Sequence, residues 1–235
     1  NQFLDKYKNP QNTVKIALIG KYVELQDSYK SILESFIHSG AVNEVKVEVV
    51  PIHSEHIDKN NIKQELKDFD GVLVAPGFGE RGIEGKIEAI KYVRVNKIPF
   101  FGICLGMQMA VIEFSRNILK LDGANSTEMD QETNYPVIDL MNDQKNIINK
   151  GGTMRLGSWD CKLKENSLSY EIYKTENVYE RHRHRYEFNS EYIEKLEKNG
   201  MIASGINEKT GLVEIIELSD HPRFVGVHFH PEYKS

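Results

Sequence analysis

The chain has 235 residues, 40% hydrophobic and 28% charged, with a formal net charge of −5 at pH 7. This length and apolar share allow a packed core and exclude disorder across the whole chain, and the acidic balance argues against nucleic acid as the main partner, because phosphate binding needs a basic excess. Two cysteines with no CxxC pair exclude a disulfide scaffold and a cysteine-rich zinc site and point to a reducing, cytoplasmic setting.

Residues 1–12, polar and carrying Asn9-Pro10, read as a linker or tail, and residues 13–235 as one domain. They contain no apolar signal core and no initiator methionine, as expected of a chain cut from something longer. No apolar run reaches the ~20 residues that a membrane helix needs. VKIALIG (14–20) reads as a buried strand. Asp27 is placed to cap a helix that runs to Gly40, a suitable C′ residue. A strand over 45–52 and a polar helix over 60–68 follow. GVLVAP (71–76), a glycine-rich loop (77–82), a helix (83–96), the strand IPFFGI (98–103) and a helix (105–116) then form a βαβ unit. Such a unit implies a parallel sheet with right-handed crossovers. Both loops sit at carboxyl ends of strands, where open α/β sheets bind ligands. The second half is less regular. Strands are expected at 137–140, 153–163, 182–188, 212–218 and 224–230, with a helix near 190–199. The fold expected is therefore α/β: a mostly parallel open sheet flanked by helices, with a mixed or antiparallel second half.

Gly102-Ile103-Cys104-Leu105-Gly106 has the G-x-S-x-G form of a nucleophile elbow, with thiol in place of hydroxyl. The nucleophile of such an elbow sits on a strained strand-to-helix turn, and glycine two residues before and after it removes a clash. The helix that follows favours thiolate at Cys104, and the Leu105 N–H is left to bind an oxyanion. A buried structural cysteine is the competing reading. GVHFHPE (226–232) ends the last strand. If the chain stays extended, His228, His230 and Glu232 share one side. A base held by an acid near Cys104 makes a triad; H-x-H with a carboxylate is also a zinc-ligand pattern.

Gly77-Phe78-Gly79-Glu80-Arg81-Gly82 matches the dinucleotide fingerprint G-x-G-x-x-G, but the following strand ends in Cys104 rather than in a ribose-binding acid. Arg181-His182-Arg183-His184-Arg185 puts arginine on one face of a strand, as a solvated face or as a fork for a small carboxylate or phosphate.

Together these stretches, with GKYVELQDSYKSI (20–32), ANSTE (124–128), GGTMRLG (151–157), ERHRHRYEFN (180–189) and HPRFVGVHFHPEYKS (221–235), resemble the class I, or triad, glutamine amidotransferase family. Within it they resemble the glutaminase domains of CTP synthases. The resemblance implies a flavodoxin-like sheet and glutamine hydrolysis to glutamate and ammonia through a γ-glutamyl thioester. Cys104 would be nucleophile, His230 base and then acid, and Glu232 its orienting carboxylate. Backbone N–H groups of Gly77 and Leu105 would hold the oxyanion, and Gln108, Glu128, Arg185 and the backbone around Tyr186 would recognise L-glutamine. It implies no metal or cofactor in this domain. The resemblance further implies that ATP, Mg²⁺ and UTP belong to a synthetase domain of the same polypeptide absent here, that GTP is an effector of the whole enzyme, and that the whole enzyme is a homo-oligomer. A free-standing γ-glutamyl hydrolase of the same fold and a non-catalytic module with a dead triad are the alternatives. The sequence departs from the family at Pro76, which has no N–H and leaves Gly77 as the loop donor, and at His228, where the family has Gln.

Overall fold

A computed structural model describes residues 2–140 and 154–235. The segment expected to be an irregular tail instead contains helix α1 (Gln2–Lys8), exposed throughout, and strand β1 (Asn12–Gly20) starts before the expected residue 14. Phe3 on α1 meets His38 edge-on at 6.1 Å, which ties this helix to α2 (Lys30–Asn43). Asp27 does not cap α2: it lies in a 3₁₀ turn, Gln26–Tyr29, and Tyr29 stands at the N-cap without a side-chain capping bond. Gly40 is not the C′ residue either. It is inside α2, where a Cβ would meet the Val45 carbonyl at 2.8 Å, and the left-handed stop falls on Glu44 at φ 58°.

The elements that follow are β2 (Val45–His53), α3 (Ile62–Leu66), β3 (Gly71–Val74), α4 (Ile83–Asn96), β4 (Phe100–Ile103) and α5 (Leu105–Asn117). The second half contains β5 (Asn125–Ser126), β6 (Pro136–Asp139), β7 (Arg155–Leu163), α6 (Leu168–Tyr173), β8 (Asn177–His184), β9 (Glu187–Phe188), α7 (Ile193–Lys198), β10 (Met201–Ile206), β11 (Val213–Leu218) and β12 (Phe224–Val227). The expected start of the strand at 153 lies outside the described residues. The sequence pattern does not reveal α6 and β10. Met201–Ile206 contains Ser204 and Gly205, which interrupt the apolar pattern of a strand, and α6 is only six residues long.

Among the described residues one sheet runs β2-β1-β3-β4-β12-β11-β10-β7-β8. The first five strands pair in parallel and the remaining four antiparallel. The parallel half has the flavodoxin-like order, with its switch point between β1 and β3. Every residue of β3 is buried, as a central parallel strand covered on both faces requires. Side chains alternate accordingly. Ala17, Ile19, Val72 and Val74 pack with α4 and α5, whereas Leu18 and Leu73 join Ile32 of α2 on the other face.

The β4–α5 elbow is where close packing is tightest. A Cβ on Gly106 would lie 2.3 Å from the Val74 carbonyl oxygen, and one on Gly102 would lie 2.7 Å from the Gly106 carbonyl carbon. These obstacles are backbone, which cannot rotate away. Gly106→Ala is expected to destabilise the fold by about 3 kcal/mol, read as a lower urea midpoint; an unchanged midpoint would contradict this close approach.

Candidate functional site

Cys104 follows β4 and precedes α5. Its N–H donates to the Val227 carbonyl at 2.7 Å, locking the elbow to β12, and its backbone is at φ 53°, ψ −103°. A non-glycine residue in that region is strained and persists only where its surroundings over-determine it. Here the two glycines and the β12 bond do so. The Leu105 N–H, first of α5, has no acceptor four residues back within the helix.

His230 and Glu232 reach the thiol by a different route from the one expected. β12 ends at Val227, and Pro231–Tyr233 form a 3₁₀ turn, so His228, His230 and Glu232 do not share one side of an extended strand. The turn folds Glu232 back so that its Oε1 lies 2.8 Å from His230 Nδ1. The other imidazole nitrogen is left for Cys104, which lies close enough to favour the imidazolium. The His230 N–H donates to the Arg181 carbonyl at 2.8 Å, and Tyr233 stacks on the ring at 5.1 Å. Burial disfavours the imidazolium, but the Cys104 and Glu232 contacts outweigh burial and push His230 up to about 10.

Beside Cys104 lies a small cavity of about 20 Å³, lined by Gly77, Phe78, Gln108, Glu128, His184, Arg185 and Tyr186 as well as Cys104. The four expected glutamine-contacting side chains or backbones, at 108, 128, 185 and 186, therefore converge on one wall system. Leu105, His230 and Glu232 are outside the lining; the Leu105 side chain comes within 3.4 Å of where a Gly77 Cβ would be. The volume holds about one water. The Gly79 N–H donates to Glu128 Oε1 at 2.9 Å, Lys21 Nζ donates to the Phe78 carbonyl, and the Arg183 guanidinium lies 5.9 Å from the Phe78 ring centre. The 77–82 loop is thus fastened over the cavity, and an amino acid enters only if it moves. A larger cavity, about 590 Å³, lies between α2 and α6 against Leu73, Phe101 and Val225. Its walls are almost wholly apolar, and Cys104 is not among them, so the small cavity is the candidate site.

The expected strand at 182–188 is displaced, since β8 ends at His184 and β9 holds only Glu187–Phe188, but the Arg/His alternation holds. Arg181 and Arg183 are exposed, His182 and His184 are buried, and Arg185, just past β8, reaches the cavity wall. Sequence reasoning missed two lysines. Lys21 follows β1 and holds the loop. Lys86 is fully buried, with Nζ 3.5 Å from the Ala75 carbonyl oxygen and 3.8 Å from where a Gly77 Cβ would be. Its signal was present: Lys86 falls on the apolar stripe of α4 with Ile83, Ile87 and Ile90.

The zinc pattern read from His228, His230 and Glu232 is not the set the fold assembles; the cluster that could hold an ion is a different one, and it meets a geometric objection. His184, Glu187 and His228 offer ligand atoms within 4.8 Å of one another, all buried. However, the two imidazoles are stacked at 3.7 Å and 16°, so their in-plane lone pairs run side by side rather than converging on one ion. Arg155 Nη1, a cation, also lies 3.7 Å from Glu187 Oε1. The set fits shared protons better than a metal.

Three comparisons bear on this geometry. The glutamine amidotransferase class-I family matches residues 24–235. The CTP synthases of Christiangramia forsetii and Flavobacterium psychrophilum are 66% and 65% identical over the whole chain, which spans 43% and 44% of their lengths. The solved glutaminase domain of Trypanosoma brucei CTPS, with bound acivicin, is 38% identical and superposes with a TM-score of 0.87, over 94% of this chain and 86% of that one. With the elbow, the histidine–glutamate pair and the converging cavity walls in place, the chain belongs to the class-I glutamine amidotransferase family and, within it, to the glutaminase domains of CTP synthase.

Proposed function

We propose that this chain hydrolyses L-glutamine through a Cys104–His230–Glu232 triad and that the ammonia serves an ATP-dependent conversion of UTP to CTP elsewhere in a longer polypeptide. The observation that carries the reading is Cys104, strained at the N-terminus of α5, beside His230, whose Nδ1 is held by Glu232 at 2.8 Å. Cys104 Sγ attacks the side-chain amide carbon. The resulting oxyanion is met by the Gly77 and Leu105 N–H groups. His230, protonated at neutral pH, gives its proton to the departing ammonia. Water then attacks the γ-glutamyl thioester, returning a proton to His230 and releasing glutamate. Glu128 suits the substrate ammonium and Arg185 its carboxylate.

The identity with CTP synthases over the whole chain favours this role over a free-standing γ-glutamyl hydrolase. ATP, Mg²⁺ and UTP would act on residues outside this chain, and no residue here is assigned to GTP.

Intact mass spectrometry after incubation with acivicin tests the reading. One adduct is expected, blocked by excess glutamine and absent in Cys104→Ser. Labelling at Cys161, or labelling that glutamine does not slow, would count against a glutamine-specific thiol.

A further inference from the structure

Gln108 is held at its nitrogen from two sides. Its Nε2 lies 3.2 Å from the Tyr186 carbonyl oxygen and 3.0 Å from His228 Nε2. A carbonyl only accepts, so the group facing Tyr186 is the amide NH₂. The second N–H then falls to His228, whose Nε2 must carry a lone pair, with the imidazole proton on Nδ1. That nitrogen faces Glu187 Oε2 at 3.2 Å. Glu187 Oε1 lies 3.7 Å from Arg155 Nη1, a charge pair without a hydrogen bond, and Arg155 Nη2 bonds Glu214 at 2.5 Å. At Gln108 the direction is fixed, because His228 Nε2 takes a Gln108 proton, while the Glu187 carboxylate lies near His228 Nδ1 without hydrogen-bonding it. With both N–H groups used, Gln108 keeps only Oε1 uncommitted. That oxygen is not an enclosed orphan, and Gln108 lines the Cys104 cavity.

From this geometry we propose that His228 is a positioning residue that sets the Gln108 amide with its oxygen toward the cavity, making that wall an acceptor for an N–H group of the amino-acid substrate. The proposal rests on the glutamine-site reading above and adds the group that orients one of its walls. Together with the Glu128 carboxylate, Gln108 Oε1 gives the cavity two acceptors, as an ammonium or a primary amide requires.

The groups packed around His228 keep it in this form. It is wholly buried, His184 stacks on it, Glu187 faces Nδ1, Gln108 faces Nε2, and the Arg155 and His230 charges oppose protonation. Burial is the largest cause and pushes His228 down to about 3. His228 is therefore neutral throughout the physiological range.

Two experiments decide the matter. The first is ¹⁵N NMR of the histidine-labelled 235-residue chain, which should show His228 as the Nδ1–H tautomer, unchanged between pH 5.5 and 8. An Nε2–H tautomer, or titration in that range, overturns the proposal. This result stands even if the wild type fails to turn over glutamine, an outcome that would sink the glutamine reading instead. The second is steady-state kinetics of two variants. His228→Leu removes the acceptor and should raise KM for glutamine about tenfold more than it lowers kcat. It should leave the rate of Cys104 alkylation by iodoacetamide, which needs no amine recognition, within about twofold. His228→Gln places an amide oxygen near the former Nε2 and should restore KM to within about threefold of wild type. Equal loss in both variants, or loss in His228→Leu that falls on kcat and alkylation alike, assigns His228 to packing and overturns the proposal.

Discussion

Cys104→Ala is expected to lower kcat for glutamine hydrolysis by at least about 10⁴-fold, because a covalent mechanism without its nucleophile retains only the contributions of oxyanion and substrate binding. The fold should persist. Cys104 is buried and its strain comes from the backbone, so replacing a thiol by a hydrogen removes little packing and leaves φ 53° in place. Glutamine binding should persist too, since Gln108, Glu128 and Arg185 are untouched. The informative measurement is therefore a pair: ammonia release by a coupled assay and glutamine binding by calorimetry. Loss of turnover with binding retained supports Cys104 as the nucleophile. Residual turnover within about tenfold of wild type would move the chemistry to another residue. The same substitution should remove the Cys104 interaction that helps to hold His230 up at about 10. The His230 imidazolium should then lose its proton at a lower pH in the variant, a change visible by NMR.

Lys86→Met should stabilise the protein, by roughly 3–5 kcal/mol at pH 7. Lys86 is fully buried on α4 and forms no ion pair among the described residues; its polar contact is the Ala75 carbonyl at 3.5 Å. Burial drives it down from 10.5 to about 7, the nearby Lys21 cation adds to the effect, and Cys104 opposes it. Proton counts set the sign. An unfolded Lys86 holds its proton up to about pH 10.5, whereas the folded one releases it above about pH 7. Between those values the unfolded chain binds more protons, so stability rises with pH. Below pH 7 both states are protonated, and the full cost of burying the ammonium is present. Each pH unit between the folded and unfolded values corresponds to about 1.4 kcal/mol, which sets the size of the effect. Methionine matches the length and lacks the charge, so urea midpoints should increase at pH 7 and the rise with pH between about 7 and 10 should shrink. An unchanged midpoint would mean that the ammonium is solvated through the 77–82 loop. The location matters functionally as well, since Lys86 and Lys21 flank the loop that carries the Gly77 N–H.

The site was readable where chemistry is written into short spacings. G-I-C-L-G names its own geometry, because the two glycines stand where a Cβ would strike backbone at 2.7 Å and 2.3 Å. The βαβ unit of residues 71–116 was readable because apolar runs of four to six residues, separated by a helical pattern, leave few other packings. α4 spans Ile83–Asn96 as expected. Helix ends were less legible. Asp27 and Gly40 have the right residue types for them, but the 3₁₀ turn and the approach of Val45 placed those ends elsewhere. β10 and α6 escaped because Gly205 and a six-residue length blur periodicity.

The order of residues alone thus determined the family, the candidate residues Cys104, His230 and Glu232, and the alternation of arginine and histidine on β8, since each depends on neighbours within a few positions. Tertiary structure decided the rest. It turned Glu232 back onto His230 through a 3₁₀ turn, closed the 77–82 loop on Glu128, sealed Lys86 beneath that loop and set His228 against Gln108 across 120 residues of chain. Such contacts form only when distant strands and helices pack, because a side chain's burial and its hydrogen-bond partner are properties of the surface it meets rather than of the residues beside it.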